Sequence, residues 1–234
     1  KVVIVWGQGA PDVSNVNNGG FSKVGTISGT GSSATIGFGS ETLFNAANYT
    51  LGSGWQLDSK YMCSDTIGNR VVLAWQGYGP TYTAPFTLSC VKNGTTTVTT
   101  ATTAALTVGK EVSGTGITAL THIVSITNST TFVLSRVATD SATSTLTFTD
   151  RRIGWASVGT VSGTTVTWNT PAIFGHIQDL WNNAQSPETD WAAICYNPSA
   201  QKFVIAYGGY VNSGAIGSIC KVGTIQGDHS IIFG

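Results

Sequence analysis

The sequence predicts an all-β fold built from a repeated unit, and two observations carry this prediction. A short phrase is written three times, as VGTISG, VGTVSG and VGTIQG, at 24–29, 158–163 and 222–227. Each copy has the same neighbours. An apolar run lies upstream, at 2–6, 71–75 and 203–207, and a short aromatic segment lies downstream, at 36–39, 166–169 and 231–234. Self-similarity of this kind indicates a fold built from stacked copies of one structural unit.

The spacing of the copies predicts an insertion. Two of the intervals are long, and removing residues 86–149 brings every interval to roughly 65–70 residues, a period typical of repeat architectures. The sequence therefore predicts repeats over 1–85 and 150–234, with a small all-β domain inserted at 86–149.

Each repeat is predicted to contain four short strands. The fullest copy has them at 190–197, 202–207, 216–225 and 230–233. The middle copy has them at 59–65, 70–75, 153–161 and 165–169, and the first copy begins at its second strand, with 2–6, 21–27 and 35–38. The unbroken apolar run of the second strand is typical of a sheet packed on both faces. The helix candidate is 177–184, where two asparagines and a Ser-Pro break argue against more than one turn.

A four-stranded meander with a fixed period indicates a β-propeller blade, and a β-sandwich made from the same hairpins is the alternative. The chain supplies three quarters of one blade and two whole blades, whereas propellers have four to eight. The ring is then open, or completed by further residues of a longer chain, or completed by other chains. A homo-oligomer, for instance a trimer, is one such completion.

The segment 86–149 differs from its surroundings in composition, being dominated by Thr and Ser. Apolar and polar residues alternate at 122–126, 131–134 and 144–148, which predicts five or six strands. The Thr run at 95–103 is interpreted as strand rather than disorder, because Thr is a good β former and Val98 interrupts the run at the right spacing.

Composition limits the possible partners. Only 9% of the 234 residues are charged, and Lys plus Arg equals Asp plus Glu at 11 each. A neutral chain without a basic run argues against nucleic acid or an anionic membrane as the partner. No stretch approaches the roughly 20 apolar residues of a membrane span. The Gly, Ser, Thr and Asn content is typical of extracellular or virion-surface proteins.

The four cysteines show no metal-ligand spacing. Cys63 and Cys195 occupy the same place in two repeats. Equivalent positions on neighbouring sheets lie about 10 Å apart, farther than a disulfide spans, so both are expected to be buried free thiols. Cys90 and Cys220 could pair only if docking happened to bring them together.

The segment 106–139, LTVGKEVSGTGITALTHIVSITNSTTFVLSRVAT, resembles a small β module of bacteriophage structural proteins. The shared pattern is VG-x-x-VSGTGI, then I-x-SI, TTF-x-LS and AT, and THIV at 121–124 departs from it. The flanking phrases KVVIVW, VGTISG and IGFGS are similar to blade repeats of phage tail and fibre proteins. The resemblance implies a virion surface or tail component and carries no catalytic residues with it.

The richest polar loop is 174–191, FGHIQDLWNNAQSPETDW. Two carboxylates flanking a sugar, with Trp as a stacking platform, would suit a glycosidase or a glycan-binding site. The alternative is that the Trp residues are core and the acids only solvate the loop. The predicted ligand-binding residues are His176, Asp179, Trp181, Glu188 and Asp190, and no catalytic residue, metal site or cofactor is predicted.

The function predicted from these features is that of a non-enzymatic virion protein of tail or fibre type. It would display β modules for attachment to a host-surface glycan or protein, beside other virion proteins. An extracellular glycan-binding lectin or adhesin is the alternative, and a glycan depolymerase is the third hypothesis.

Overall fold

The computed structural model describes residues 1–8, 19–45, 62–65, 68–77, 83–150, 153–175, 193–211 and 215–234. Within these ranges the chain is all-β, with nineteen strands and one short 3₁₀ turn at Gly31–Ser33. None of the described residues forms a helix with the length and apolar character needed to cross a membrane. The chain divides into two compact units, Lys1–Pro80 with Ile153–Gly234, and Thr81–Arg152.

The strands follow in chain order. The first stretch of unit 1 contains β1 (Val2–Gln8), β2 (Gly19–Ser28), β3 (Thr35–Phe38), β4 (Thr42–Asn45), β5 (Met62–Asp65) and β6 (Arg70–Gly77). Unit 2 contains β7 (Phe86–Lys92), β8 (Thr97–Thr100), β9 (Glu111–Ser113), β10 (Thr121–Asn128), β11 (Thr131–Leu134) and β12 (Thr143–Thr149). The second stretch of unit 1 contains β13 (Ile153–Ser162), β14 (Thr165–Trp168), β15 (Ala172–Gly175), β16 (Ala193–Asn197), β17 (Lys202–Val211), β18 (Ala215–Ile225) and β19 (Ile231–Phe233).

Unit 1 consists of three antiparallel sheets. Sheet A has the order β1-β2-β3, sheet B the order β5-β6-β13-β14, and sheet D the order β16-β17-β18-β19. All eleven strands predicted for the repeats are present in the described part of the chain. The sequence prediction missed β4 and β15, which pair with the first halves of β2 and β13.

Sheet B is covered on both faces. Five consecutive residues of β6, from Val71 to Trp75, are buried. Among residues 202–207 of β17, alternate residues are buried, namely Phe203, Ile205 and Tyr207. The predicted packing on both faces is therefore right for β6 and wrong for 202–207, because the described residues that pack on sheet D come from sheet B, on one face.

The same packing is used twice. Val24 of sheet A packs against Val71 and Val166 of sheet B. Its counterpart Val158 of sheet B packs in the core shared with Phe203 and Ile231 of sheet D.

The aromatic contacts repeat in the same way. The ring of Phe44 lies 5.3 Å from that of Trp75, edge to face. The equivalent pair, Phe174 and Tyr207, is 5.2 Å apart and has a similar interplanar angle, 62° against 65°. Each of these phenylalanines covers a glycine, Gly20 or Gly154, where a side chain would collide with the ring.

The repeated phrase has one structural role in all three sheets. The carbonyl of its first valine accepts a backbone N–H from the residue that ends the aromatic segment. These bonds are Gly39 to Val24 at 3.0 Å, Asn169 to Val158 at 2.9 Å and Gly234 to Val222 at 3.0 Å. The glycine of the phrase lies against an aromatic ring in all three sheets. A Cβ at this position would collide with that ring, so the close approach requires glycine.

Unit 2 is a single sheet, sheet C, which closes into a barrel with the strand order β10-β11-β8-β7-β12-β9. Its interior is one cluster that includes Val98, Phe132, Leu146 and Phe148. The Thr run contributes β8, as predicted, and each alternating segment forms a strand. The barrel strands lie between Phe86 and Thr149.

The phrase VSGTGI at 112–117 spans the end of β9 and the turn after it, where Ile117 donates its N–H to the carbonyl of Gly114. The buried ammonium of Lys92 donates to the carbonyl of Thr115 and pairs with Asp140 at 2.6 Å. Gly116, at φ +74°, leaves the space that the Asp140 carboxylate occupies. The motif that carries the resemblance therefore has a structural function, which is to hold the partners of a buried lysine.

All four cysteines are free. Cys63 is partly buried and Cys195 is exposed, so the prediction that both are buried is wrong for Cys195. The reason is the stacking, because Cys63 faces sheet D whereas Cys195, which is paired with Val204, lies on the opposite, exposed face of sheet D.

Candidate functional site

The predicted ligand-binding residues all fall in one connection. His176, Asp179, Trp181, Glu188 and Asp190 lie within 176–192, outside the described residues. The helix candidate at 177–184 lies there too. The structure therefore locates the strands that bound this connection, β15 and β16, and describes the scaffold on which it is mounted.

The long connections of unit 1 start and finish at one end of the stack, here called the loop end. Strand residues paired at this end are Gln8 with Gly19, Gly20 with Asn45, Gly77 with Ile153, Gly154 with Gly175, and Val211 with Ala215. Equivalent strands run in the same direction in the three sheets, because the same residue pairs meet across both interfaces. The long connections of unit 1 attached here are 9–18, 46–61 and 176–192, and the short connection 212–214 is attached at the same end.

The opposite end, here called the turn end, has only short connections. They are 29–34, 66–69, 163–164, 198–201 and 226–230. Side chains bond to nearby backbone in these turns, as expected for such residues. Asp65 Oδ1 accepts the N–H of Gly68 at 3.2 Å, and Asp228 Oδ1 accepts the N–H of Ser230 at 3.0 Å. Asp65 and Asp228 therefore each use a carboxylate oxygen to hold the backbone of their own turn.

The turn end is also tied between sheets. The hydroxyl of Thr160 and Nδ1 of His229 are 2.9 Å apart, and Asn169 donates to the carbonyl of Asp228 at 2.9 Å. Hydrogen bonds from Ser230 lower the pKa of the Asp228 carboxyl. This end of the stack is held by its own polar groups.

A polar cluster lies where sheets B and D meet at the turn end. Arg70 Nε donates to Asp65 Oδ2 at 2.8 Å, and the Asp65 carboxylate is fully buried. Burial, together with the nearby Asp65 charge, raises the pKa of Tyr196. Burial chiefly, and then the neighbouring Cys195, raises the pKa of Cys63 to about 12. Since the thiolate is the nucleophilic form, Cys63 is poorly suited to catalysis.

An open groove of about 490 Å³ runs between the edges of sheets A and B. Its walls include Val3, Met62 and Val71, with Lys1 and Arg70 at the rim. Both cations already have partners, because Lys1 donates to Thr26 at 2.7 Å and Arg70 pairs with Asp65. The groove thus presents apolar walls with charges committed to internal contacts.

A second buried lysine, Lys110, lies between Thr83 and Asp150, near the two ends of unit 2. Lys110 Nζ lies 2.6 Å from Asp150 Oδ2, and both side chains are almost fully buried. Thr83 donates its backbone N–H to the same carboxylate oxygen at 2.7 Å. Lys110 also stands 5.5 Å from the centre of the Phe86 ring. These contacts link residues next to the first and last strands of the barrel. The charges of Lys110 and Asp150 therefore neutralise each other inside the unit.

No three His, Cys, Asp or Glu side chains in the described ranges are placed to hold a metal ion. The acids whose surroundings are described are committed to partners. Asp65, Asp140 and Asp150 pair with buried or partly buried cations, and Glu41 lies 3.9 Å from Lys23.

The chain was compared with family models, curated proteins and solved structures, and none of them matches it. The geometry favours the loop end as the functional face, because binding residues concentrate on loops that a rigid scaffold positions.

Proposed function

We propose that this protein is a non-enzymatic virion structural protein of tail or fibre type, which displays β modules for attachment to a host surface. The observation that carries the proposal is the contrast between the two ends of unit 1. The turn end is closed by short hydrogen-bonded turns, and the loop end carries every long connection. Rigid display of loops suits weak contacts that gain strength from multiplicity.

In this proposal the three stacked sheets are blades of a β-propeller. Each is an antiparallel meander, and the same residues meet at both interfaces between neighbouring sheets. The resemblance of 106–139 to a phage module supports placement on a virion.

The ligand class is a surface glycan, bound through the connection 176–192. Its two tryptophans can stack on sugar rings, and its His, Asp and Glu residues can bond to hydroxyls. The acids of the described part support a non-enzymatic role, because the buried ones are neutralised by cations rather than set apart as a pair flanking a sugar.

A glycan array of bacterial surface polysaccharides tests this function. The wild-type chain is expected to bind a subset of them, and Trp181→Ala is expected to abolish that binding. Trp168→Phe is the matched control, because Trp168 lies in the stack, where it donates to Ser22 at 2.9 Å. An array with no binding, or binding that Trp181→Ala leaves intact, would contradict the proposal.

Incubation of any bound polysaccharide with the protein separates binding from cleavage. A binding protein leaves the chain length of the glycan unchanged. Shortening that disappears in Glu188→Gln or Asp190→Asn would instead establish a depolymerase.

A further inference from the structure

The outer face of sheet A is apolar and partly exposed. It carries Ile4, Ile27, Ile36, Phe38 and Leu43, each between 38% and 50% exposed. Strand pairing places them on one face, since Ile27 lies opposite Ile36 and Gly25 lies opposite Phe38. Contiguous exposed apolar surface of this kind marks a place of association.

The counterparts of these residues are buried in the other two sheets. Ile4 corresponds to Leu73 and Ile205, both fully buried. Ile36 corresponds to Val166 and Ile231, and Phe38 corresponds to Trp168 and Phe233, all of which pack between sheets. The outer face of sheet A is therefore the same type of surface that sheet B presents to sheet A and sheet D presents to sheet B.

The outer face of sheet D is the complementary type. Val222, which is 41% exposed, corresponds to Val24 and Val158, which are buried between sheets. Cys220 corresponds to Ser22 and Ala156, which are also buried. The chain thus carries both halves of its own stacking interface, one on each outer sheet.

Charge does not prevent this contact. Lys23 lies opposite Ile4 on the outer face of sheet A. Its counterpart Lys221 lies opposite Ile205, a fully buried residue on the covered face of sheet D, and is itself only partly buried. The stacking already accommodates a lysine at this position, as expected because a lysine can pack its stem on apolar surface while its ammonium reaches solvent.

We infer that the outer face of sheet D binds the outer face of sheet A of a second copy of this chain, and that two copies close a ring of six sheets. Head-to-tail contacts close into a ring when the rotation allows it. Two copies of three sheets fall within the four to eight blades of known propellers, whereas one copy does not and three copies exceed that range. The partner is a second copy because continuity with the A–B and B–D interfaces specifies both surfaces.

The interface makes residue-level predictions. Val24 meets Val166 between sheets A and B, so Val222 of one copy should meet Ile36 of the other. Trp168 donates to Ser22 between the same sheets, so Phe38 should meet Cys220, a polar pair being replaced by an apolar one. Between sheets B and D the corresponding residues, Phe233 and Ala156, also form an apolar pair.

The molecular mass of the full chain in solution, measured by light scattering over a concentration series, tests this inference. The wild type is expected to have the mass of two chains. Ile36→Glu and Val222→Lys, each alone, should raise the dimer dissociation constant about a hundredfold, because each buries an unpaired charge. The double variant Ile36→Glu/Val222→Lys should recover dimerisation, since both interfaces of the ring then hold a paired Glu and Lys.

Val137→Glu is the matched control, because Val137 is a similarly exposed valine of the barrel, at 56%. It should leave the dimer intact, and circular dichroism should show all variants folded. A wild type that stays monomeric, or a dimer that neither single variant weakens, would overturn the inference. The measurement involves no glycan, so a dimer that binds nothing would refute the attachment role alone.

Discussion

The barrel and the stack bury their apolar residues in different ways. In the barrel every strand has two hydrogen-bonded neighbours, and the apolar side chains point into one interior. In the stack each sheet shares its core with the next, so among the described residues sheet B is covered on both faces while sheets A and D each expose one face. A closed sheet completes its own core, whereas repeated sheets depend on neighbours and leave apolar faces at both ends.

The two units also differ in how they use charge. The barrel holds two lysines, Lys92 and Lys110, with side chains at most 1% exposed and each paired with a carboxylate. The stack holds a buried carboxylate, Asp65, paired with Arg70, whose side chain is 13% exposed. It also has an exposed pair, with Lys23 at 36% exposure and 3.9 Å from Glu41. Removing one partner of a buried pair leaves an uncompensated charge, so a substitution at a buried lysine pair of the barrel should cost far more than one at Lys23 and Glu41.

The largest expected effect comes from Asp150→Asn, which leaves Lys110 buried without its counter-ion. The free energy of unfolding of the barrel should fall by about 3–5 kcal/mol. Hydrogen exchange of peptides from 83–150 in increasing urea measures this quantity. The control is Glu41→Gln, which removes an exposed pair and should cost less than about 1 kcal/mol. Equal costs for the two substitutions would contradict the contrast between the units.

The next effect compares one repeat position in two sheets. Leu73→Ala empties a site between sheets A and B and should cost about 3 kcal/mol. Ile4→Ala, at the equivalent position of sheet A, should cost less than about 1 kcal/mol, because this side chain already contacts solvent within the chain. Urea denaturation in the Ile36→Glu background measures both without a contribution from association. A similar loss at both positions would show that sheet A is covered by something within the chain.

Thiol reactivity sharpens the comparison of inner and outer surfaces. Cys90 lies inside the barrel and Cys63 between sheets, with its pKa raised to about 12, whereas Cys195 and Cys220 are exposed. In the Ile36→Glu variant at neutral pH, the exposed pair should be alkylated at least about ten times faster. Mass spectrometry of peptides gives the four rates, and urea-unfolded protein provides the reference. Uniform rates in the folded protein would refute this assignment of surfaces.

The smallest effect is a pH dependence at the turn end. The folded-state pKa of Asp228 is lowered by its bonds to Ser230, so its contribution to stability is present above the unfolded pKa. That contribution is lost as the pH falls through the folded value. Asp228→Asn should therefore be slightly less stable than the wild type at neutral pH and equal to it in strong acid. Melting temperatures between about pH 7 and about pH 2 measure the difference, and a difference that grows in acid would reverse the predicted sign.

Local pattern was enough to predict most of the strands. The phrase at 24, 158 and 222, with its apolar and aromatic neighbours, identified eleven strands of the three sheets. The alternation at 144–148 and the single valine within the Thr run identified barrel strands. Periodicity reports which residues can lie on a sheet, and it does so without knowledge of the partner.

The sequence prediction missed two strands because they are stabilised by contacts with residues distant in the chain. Strands β4 and β15 are four residues each, too short for periodicity to stand out. What secures them is a phenylalanine, Phe44 or Phe174, that lies over a glycine of a distant strand. The same limit explains Cys195, because a repeat position predicts the face of a strand but not whether another sheet covers that face.

By itself, the sequence determined the all-β class, the repeat and most of the strands. Only the tertiary structure decided which sheet is central, which thiols are exposed and at which end the long connections gather. The physical reason is that strand formation depends on neighbours in the chain, whereas burial depends on which surfaces meet. Ile4 and Leu73 are both apolar and occupy the same repeat position, yet Ile4 is 38% exposed and Leu73 is fully buried.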